Sequence, residues 1–188
     1  MSKQLKQHGI VYTSAVARRA AADVTHFLET HWRQTVAVHN VEEDAAYQVH
    51  DVDLLWTVVG GNGRLRTIAV EVKGDRYHRT GNFFFETVSN ASKNSPGCFL
   101  YTRATWLFYY FVEVGTLYCL PMLHVRPWFL HNHDRFREQR TSTPVGEDSY
   151  VTVGCLVPIE VVLDEVPDVL VYQKEGDVWR PFPPAPAS

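Results

Sequence analysis

Hydrophobic positions follow a helical period near the start of the chain and a strand period after it. Val16, Ala20, Val24 and Phe27 recur three or four residues apart, which predicts a helix over residues 14–32 that Ser14 caps. Later apolar runs are shorter and rich in β-branched and aromatic residues, as strands are. They predict strands at residues 35–41, 53–59, 66–73 and 82–88.

Turn residues between these runs predict how the strands connect. Glycines and one asparagine at residues 60–63 separate the second and third strands, so we expect these strands to form an antiparallel hairpin. Residues 89–97 are polar and rich in turn formers, which predicts an exposed loop. Residues 106–113 and 117–120 flank Gly115 and predict a second hairpin, whose aromatic side chains we assign to the core.

The pattern weakens beyond Pro121, where it predicts a short helix at residues 125–137 and a strand at residues 150–158. One helix, a mixed sheet and later helices together favour an α/β sandwich, a single domain over residues 1–180 in which helices flank a central mixed β-sheet. Residues 181–188 are rich in proline, which cannot donate to a backbone ladder, and are predicted to be a disordered tail.

Two acids and one lysine lie where the second and third predicted strands meet. Side chains two residues apart on a strand share a face, so Glu71 and Lys73 project from one side. The hairpin brings the start of one strand beside the end of the next, and Asp53 is therefore expected close to Glu71. Mg²⁺ prefers one or two carboxylate ligands and keeps waters for chemistry, so the trio suits a hard divalent cation. The alternative is a solvated salt bridge at the edge of the sheet.

An acidic residue that opens one strand, a hairpin, and Glu-x-Lys at the end of the next strand resemble the PD-(D/E)XK nuclease superfamily of restriction endonucleases and Holliday-junction resolvases. The resemblance covers about residues 15–112. It implies that Asp53 is the metal-binding aspartate, Glu71 the second metal carboxylate and Lys73 the catalytic lysine.

The segment after the lysine is similar to phage and bacterial members of this superfamily, in which a Thr-Gly-Asn turn and then an acid follow. Here the turn is residues 80–82 and the acid is Glu86, expected as support for Lys73 or as an outer metal ligand. Asp75 either tunes Lys73, binds a second metal or is a surface residue. Resolvases carry a glutamate on the first helix, where this chain offers only Asp23, which is either that acid or solvated.

The resemblance implies a restriction endonuclease-like fold and a metal-dependent DNA endonuclease that leaves a 5′-phosphate. Mg²⁺ or Mn²⁺ is the implied cofactor, held by Asp53, Glu71 and the backbone carbonyl of Val72, while Lys73 orients or helps to deprotonate the attacking water. Two alternatives stay open: a catalytically silent nucleic-acid-binding module on the same fold, and a scaffold protein in which the charged trio is only a salt-bridge network. The resemblance also leaves open whether the chain forms a homodimer.

Cationic side chains follow the predicted site along the chain. Arg76, His78 and Arg79 come directly after Lys73, and Lys93 lies further on. Such a local concentration of positive charge suits contact with the phosphates of a DNA backbone. A solvated loop is an equally weighted alternative. The formal net charge of −3 counts modestly against a DNA partner, because nucleic-acid binders are more often basic.

Composition and apolar runs indicate the compartment. Cys98, Cys119 and Cys155 lie far apart in the sequence, which indicates buried thiols in a reducing cytoplasm rather than a zinc site or a disulfide framework. No apolar run follows the first residues to act as a signal, and the longest one, residues 106–112, is too short to span a bilayer. We therefore expect a cytoplasmic protein without a membrane partner.

Overall fold

The fold is built from two β-sheets and a set of helices. The computed structural model describes residues 6–7, 10–93, 95–145 and 148–182. The strands in these residues are β1 (Lys6–Gln7), β2 (Thr35–Asn40), β3 (Leu54–Val59), β4 (Leu65–Asp75), β5 (Asn82–Asn90), β6 (Ser95–Pro96), β7 (Trp106–Phe111), β8 (Thr116–Pro121), β9 (Arg137–Val145), β10 (Asp148–Pro158), β11 (Leu170–Glu175) and β12 (Val178–Pro181). The helices are α1 (Ile10–His31), α2 (Ala45–Gln48), α3 (Cys98–Tyr101), α4 (Met122–Asn132) and α5 (Ile159–Glu165).

Seven strands form a mixed sheet in the order β12-β11-β8-β7-β4-β3-β2, in which only β4 and β7 pair in parallel. The other strands form a second sheet in the order β1-β9-β10-β5-β6. Parallel strands need a crossover between them, and here the chain leaves β4 and forms β5, β6 and α3 before it returns as β7. The crossover therefore contributes two strands to the second sheet.

A hydrophobic core lies on each face of the seven-stranded sheet. On one face α1 buries Ala20, Val24 and Phe27 completely, against Phe108 and Tyr110 of the sheet and their neighbours. Gly74 of β4 permits this close approach, because a Cβ on Gly74 would lie 2.8 Å from the Cβ of Ala20. The apolar spacing that predicted the helix is thus the face that α1 buries.

The second sheet and α4 cover the opposite face. Phe83 and Phe85 of β5 are fully buried there, and the ring of Phe83 meets that of Tyr109 edge to face at 4.9 Å. The expected α/β class with a mixed sheet is confirmed. The expectation that helices flank this sheet holds for the α1 face, but strands β5 and β10 supply much of the cover on the other.

Both predicted hairpins are present, since β3 pairs antiparallel with β4 and β7 with β8. Three other boundaries were wrong. Helix α1 begins at Ile10, so Ser14 lies inside it and not at its cap. No Gly or Pro lies between Ile10 and Ser14 to interrupt the helix. The predicted exposed loop of residues 89–97 starts as strand, because β5 runs to Asn90, and ends at Gly97, which is buried. The helix predicted at residues 125–137 is α4, and Arg137 already begins β9.

The last described strand enters the segment predicted as a tail. Strand β12 includes Pro181, and the Phe182 N–H donates to the Val171 carbonyl oxygen at 2.8 Å. The rest of the predicted tail, residues 183–188, lies outside the described residues. Within the part of the chain that the structure describes, none of the helices has the length and apolar character needed to cross a membrane.

Candidate metal centre

The β3–β4 pairing brings Asp53 and Glu71 together. Leu54 is the register partner of Val70, and the Asp53 N–H donates to the Val70 carbonyl oxygen at 3.0 Å, which extends this ladder by one residue. Asp53 therefore lies opposite Glu71 on the same face of the sheet. The Val72 N–H donates to Asp53 Oδ2 at 2.8 Å and fixes this carboxyl group against β4.

Glu71 is buried and Asp53 is half-buried, and their carboxyl groups lie within hydrogen-bonding reach of each other. Glu71 is only 7% exposed. Burial raises the pKa of Asp53 to about 6, and burial together with the charge of Asp53 raises the pKa of Glu71 well above its ordinary value. Two carboxylates this close ionise together only at a high cost in free energy, so the pair either keeps a proton or binds a cation.

Lys73 lies on the same face and meets Glu86 of β5. The Lys73 Nζ is 4.0 Å from Glu86 Oε2. Burial would lower the pKa of Lys73, but the acidic groups around it, Cys98 and Glu86 foremost, outweigh burial and raise the pKa. The ammonium therefore keeps its charge at neutral pH.

The start of α3 enters the site because Gly97 lies directly on the backbone of β5. A Cβ on Gly97 would clash with the carbonyl group of Glu86, so only glycine permits this contact. The next residue, Cys98, donates its N–H to Glu86 Oε1 at 3.5 Å. Burial raises the pKa of the Cys98 thiol well above its ordinary value, and the Lys73 ammonium opposes this shift.

Asp51 belongs to the same cluster and was missed from the sequence. Its backbone is left-handed, with a φ of 52°, and its carbonyl oxygen accepts a hydrogen bond from Thr102 Oγ1 at 2.6 Å. One ligand atom each from Asp51, Glu71 and Cys98 lie within 4.8 Å of one another. Burial raises the pKa of Asp51, and Lys73 opposes the shift.

The spacing of two residues between Asp51 and Asp53 was no signal, because Asp51 has a left-handed backbone in the turn before β3 and does not share the alternation of a strand. Cys98 carried no signal either, because its approach depends on a contact between distant segments. The expectation that the cysteines are buried thiols is correct for Cys119 and Cys155, but Cys98 is half-buried.

Asp23 does not join this cluster. Its carboxylate accepts hydrogen bonds from Lys174 Nζ at 2.6 Å and from the Tyr110 hydroxyl at 3.0 Å, on the α1 face of the sheet. With 17% of its side chain exposed, it is not a solvated residue either. Of the two roles expected for Asp23, the structure shows neither, because residues of β7 and β11 bind it from the sheet.

Asp75 is held by hydrogen bonds rather than left on the surface. Its Oδ2 accepts from the Tyr109 hydroxyl at 2.5 Å and its Oδ1 from the Tyr77 N–H at 2.7 Å. Tyr109 in turn accepts from the Phe84 N–H at 3.1 Å. These contacts connect the end of β4 to β5, and Asp75 therefore serves the packing of the two sheets.

The predicted nucleic-acid-binding residues lie beyond the end of β4. Arg76, His78 and Arg79 line an open pocket of about 530 Å³ together with uncharged residues and one acid, Glu113. The His78 ring packs edge to face on Phe111 at 4.9 Å. Lys93 is separate from this pocket, exposed in the turn between β5 and β6.

The structure thus brings the four residues expected to be catalytic, Asp53, Glu71, Lys73 and Glu86, into one cluster and adds Asp51 and Cys98 to it. A buried and a half-buried carboxylate beside an ammonium can hold a divalent cation next to a fixed positive charge. Comparisons of the chain with known protein families, with curated proteins and with solved structures found no match.

Proposed function

We propose that the chain is a metal-dependent DNA endonuclease of the PD-(D/E)XK type, on a restriction endonuclease-like core. The contact between the carboxyl groups of Asp53 and Glu71 carries this proposal, because burial raises both pKa values and the Lys73 ammonium offsets only part of the shift at Glu71. Their position also supports it: Asp53 directly precedes β3, and Glu71 and Lys73 lie in the second half of β4, in the order of the motif.

The residues present fit Mg²⁺ or Mn²⁺. Among the described residues, Glu71 Oε2 is buried and has no hydrogen-bond partner, and a cation bound there would satisfy it. Asp53 and Glu71 would hold the cation, with the Val72 carbonyl as the third protein ligand. When bound, such a cation supplies positive charge that polarises a phosphate and lowers the pKa of water.

Lys73 acts in this scheme as a fixed positive charge. Since its pKa is raised, Lys73 remains an ammonium at neutral pH and cannot accept a proton from water. It would orient the attacking water and stabilise the negative charge that develops on the scissile phosphate. Glu86, at 4.0 Å, restrains the Lys73 side chain in this position.

The cationic residues after β4 would bind the DNA backbone on one side of the scissile phosphate. Asp75 lies four residues past Glu71 on an extended strand, which places the loop that follows roughly 13 Å further along. Arg76, His78 and Arg79 of this loop are then suited to phosphates that flank the cleaved one. These contacts position DNA without reading its sequence.

A cleavage assay tests the proposal. Linear, nicked, branched and single-stranded DNA are incubated with Mg²⁺, Mn²⁺ or EDTA. We expect cleavage of at least one form with metal and none with EDTA. Asp53→Asn should abolish cleavage, whereas Asp164→Asn, the same change at an exposed position of α5, should leave it intact.

If metal-dependent cleavage persists in Asp53→Asn, this site does not catalyse the reaction. DNA binding without cleavage in any metal would instead support the silent binding module. If the chain neither binds nor cuts DNA at low salt, the nuclease proposal is wrong.

A further inference from the structure

Asp51 and Cys98 have no role in the proposed cleavage, yet both face Glu71. The three residues come from three different segments: Asp51 lies in the loop before β3, Glu71 in β4, and Cys98 is the first residue of α3. One ligand atom from each lies within 4.8 Å of the others. The cluster therefore combines two carboxylates with one sulfur.

Two oxygens of this cluster lack partners. Among the described residues, neither Glu71 Oε2 nor Asp51 Oδ2 has a hydrogen bond, although both atoms are buried. Glu71 as a whole is 7% exposed. An unpartnered buried carboxylate oxygen costs free energy, and a cation between the two side chains would offset that cost.

The sulfur decides which cation fits. Mg²⁺ takes oxygen ligands, whereas Zn²⁺ and Co²⁺ accept thiolate and carboxylate together. A tetrahedral zinc site has metal–oxygen distances of about 2.0–2.2 Å and a metal–sulfur distance of about 2.3 Å, so its ligand atoms lie about 3.5 Å apart. Closing the observed cluster to that size needs shifts of roughly 1 Å, and the thiol proton leaves to solvent as the cation binds.

We propose that Asp51, Glu71 and Cys98 form a second cation position that selects thiophilic divalent ions of the Zn²⁺ class and regulates the site. The inference rests on the proposed function, because Glu71 is shared with the Asp53 pair. A Zn²⁺ ion in this position withdraws Glu71 from Mg²⁺. Zinc therefore inhibits the Mg²⁺-dependent reaction by competing for a ligand.

Cobalt titration tests the position without DNA. Co²⁺ is added to the metal-free protein, and the sulfur-to-cobalt charge-transfer band is followed in the near ultraviolet. The wild-type protein should develop this band, and Zn²⁺ should remove it. Cys98→Ser should lose the band, whereas Cys155→Ala, at a buried thiol of β10, should keep it. Asp51→Asn should keep the band but weaken Co²⁺ affinity by about tenfold or more, as loss of a ligand does.

A wild-type protein without the band, a band that persists in Cys98→Ser, or one lost in Cys155→Ala would overturn the inference. Circular dichroism shows whether Cys98→Ser folds. If that variant does not fold, Asp51→Asn is the deciding variant, and Co²⁺ affinity equal to that of the wild type would by itself overturn the inference. The two proposals fail separately. A cobalt band without DNA cleavage rejects the nuclease proposal and supports the thiophilic position. Cleavage without the band supports the nuclease proposal and rejects the thiophilic position.

Discussion

Tyr109 and Tyr110 are consecutive residues of β7, and their hydroxyl groups donate to carboxylates on opposite faces of the seven-stranded sheet. Tyr109 donates to Asp75 at 2.5 Å on the side of the candidate metal centre, and Tyr110 donates to Asp23 at 3.0 Å on the side of α1. Alternation along one strand thus separates two acidic groups that the sequence alone could have assigned to one site.

Asp23 should matter for stability and not for metal binding. Asp23→Asn removes the charge that Lys174 binds at 2.6 Å, so the free energy of unfolding should fall by about 1–3 kcal/mol, the scale of a hydrogen bond to a charged group. Urea unfolding measures the loss, with the exposed Asp164→Asn as control. Mn²⁺ affinity should not change, and a sharp loss of affinity would place Asp23 in the metal centre after all.

Lys73 should affect turnover and not metal affinity. Lys73→Ala should lower the cleavage rate about a hundredfold or more, as expected for one positioned electrostatic group. Mn²⁺ affinity by calorimetry should stay the same or rise, because a positive charge beside Glu71 disappears. Lys174→Ala removes a lysine from the other face of the sheet. It should lower the free energy of unfolding and leave the cleavage rate and Mn²⁺ affinity unchanged. If Lys73→Ala weakens Mn²⁺ binding and leaves the rate at saturating metal unchanged, the catalytic role is wrong.

Mn²⁺ binding should depend on pH in a defined direction. The cation must displace protons from Asp53, whose pKa is about 6, and from Glu71, whose pKa is raised well above its ordinary value. Affinity should therefore rise between pH 5 and neutral pH, by about tenfold per pH unit for each displaced proton. Calorimetry in buffers of different ionisation enthalpy counts these protons. If Mn²⁺ affinity is constant from pH 5 to 7.5, binding does not displace protons from these carboxyl groups.

Glu71→Gln should stabilise the metal-free protein. A carboxyl group whose pKa is raised by folding destabilises the fold as pH rises from its ordinary pKa through the raised one. The amide has no such charge, so the variant should have a higher urea midpoint than the wild type at pH 7.5 in EDTA, with a smaller difference at pH 5. Glu160→Gln, on the exposed face of α5, is the control. A lower midpoint at both pH values would mean that the charge of Glu71 supports the fold.

Arg79 should contribute to DNA binding through phosphate contact. In an Asp53→Asn background with EDTA, Arg79→Ala should weaken binding and reduce the salt dependence, with the slope of log K against log salt falling by about 0.9 for each lost duplex phosphate contact. Arg64→Ala, at an exposed position beside the β3–β4 turn, should leave the slope unchanged. Equal slopes in all three proteins would exclude Arg79 from the DNA interface.

The sequence predicted the parts of the site that local chemistry determines. The turn at residues 60–63 and the alternation of β4 were enough to bring Asp53 beside Glu71. Asp51 and Cys98 could not be found in this way. Asp51 is oriented through a hydrogen bond to Thr102, 51 residues away, and Cys98 through the contact of Gly97 with β5.

Strands β5 and β10 of the second sheet were predicted, but their assembly into a separate sheet with β9 was not. Strand β9 begins with charged and polar residues from Arg137 to Arg140, which show no apolar alternation, and it becomes a strand by pairing with β10. Such pairing depends on the partner and not on the propensity of the segment itself.

The crossover between β4 and β7 has a consequence for folding. Glu86 and Cys98 are carried on this excursion, and the parallel register that pairs Val70 with Trp106 closes a long stretch of chain. Closing such a loop costs conformational entropy before the contacts between its ends contribute favourable free energy. The unfolded chain therefore has no assembled set of ligands. A divalent ion bound by both Glu71 and Cys98 would cross-link distant parts of this loop. Metal affinity would then report how completely the chain has folded.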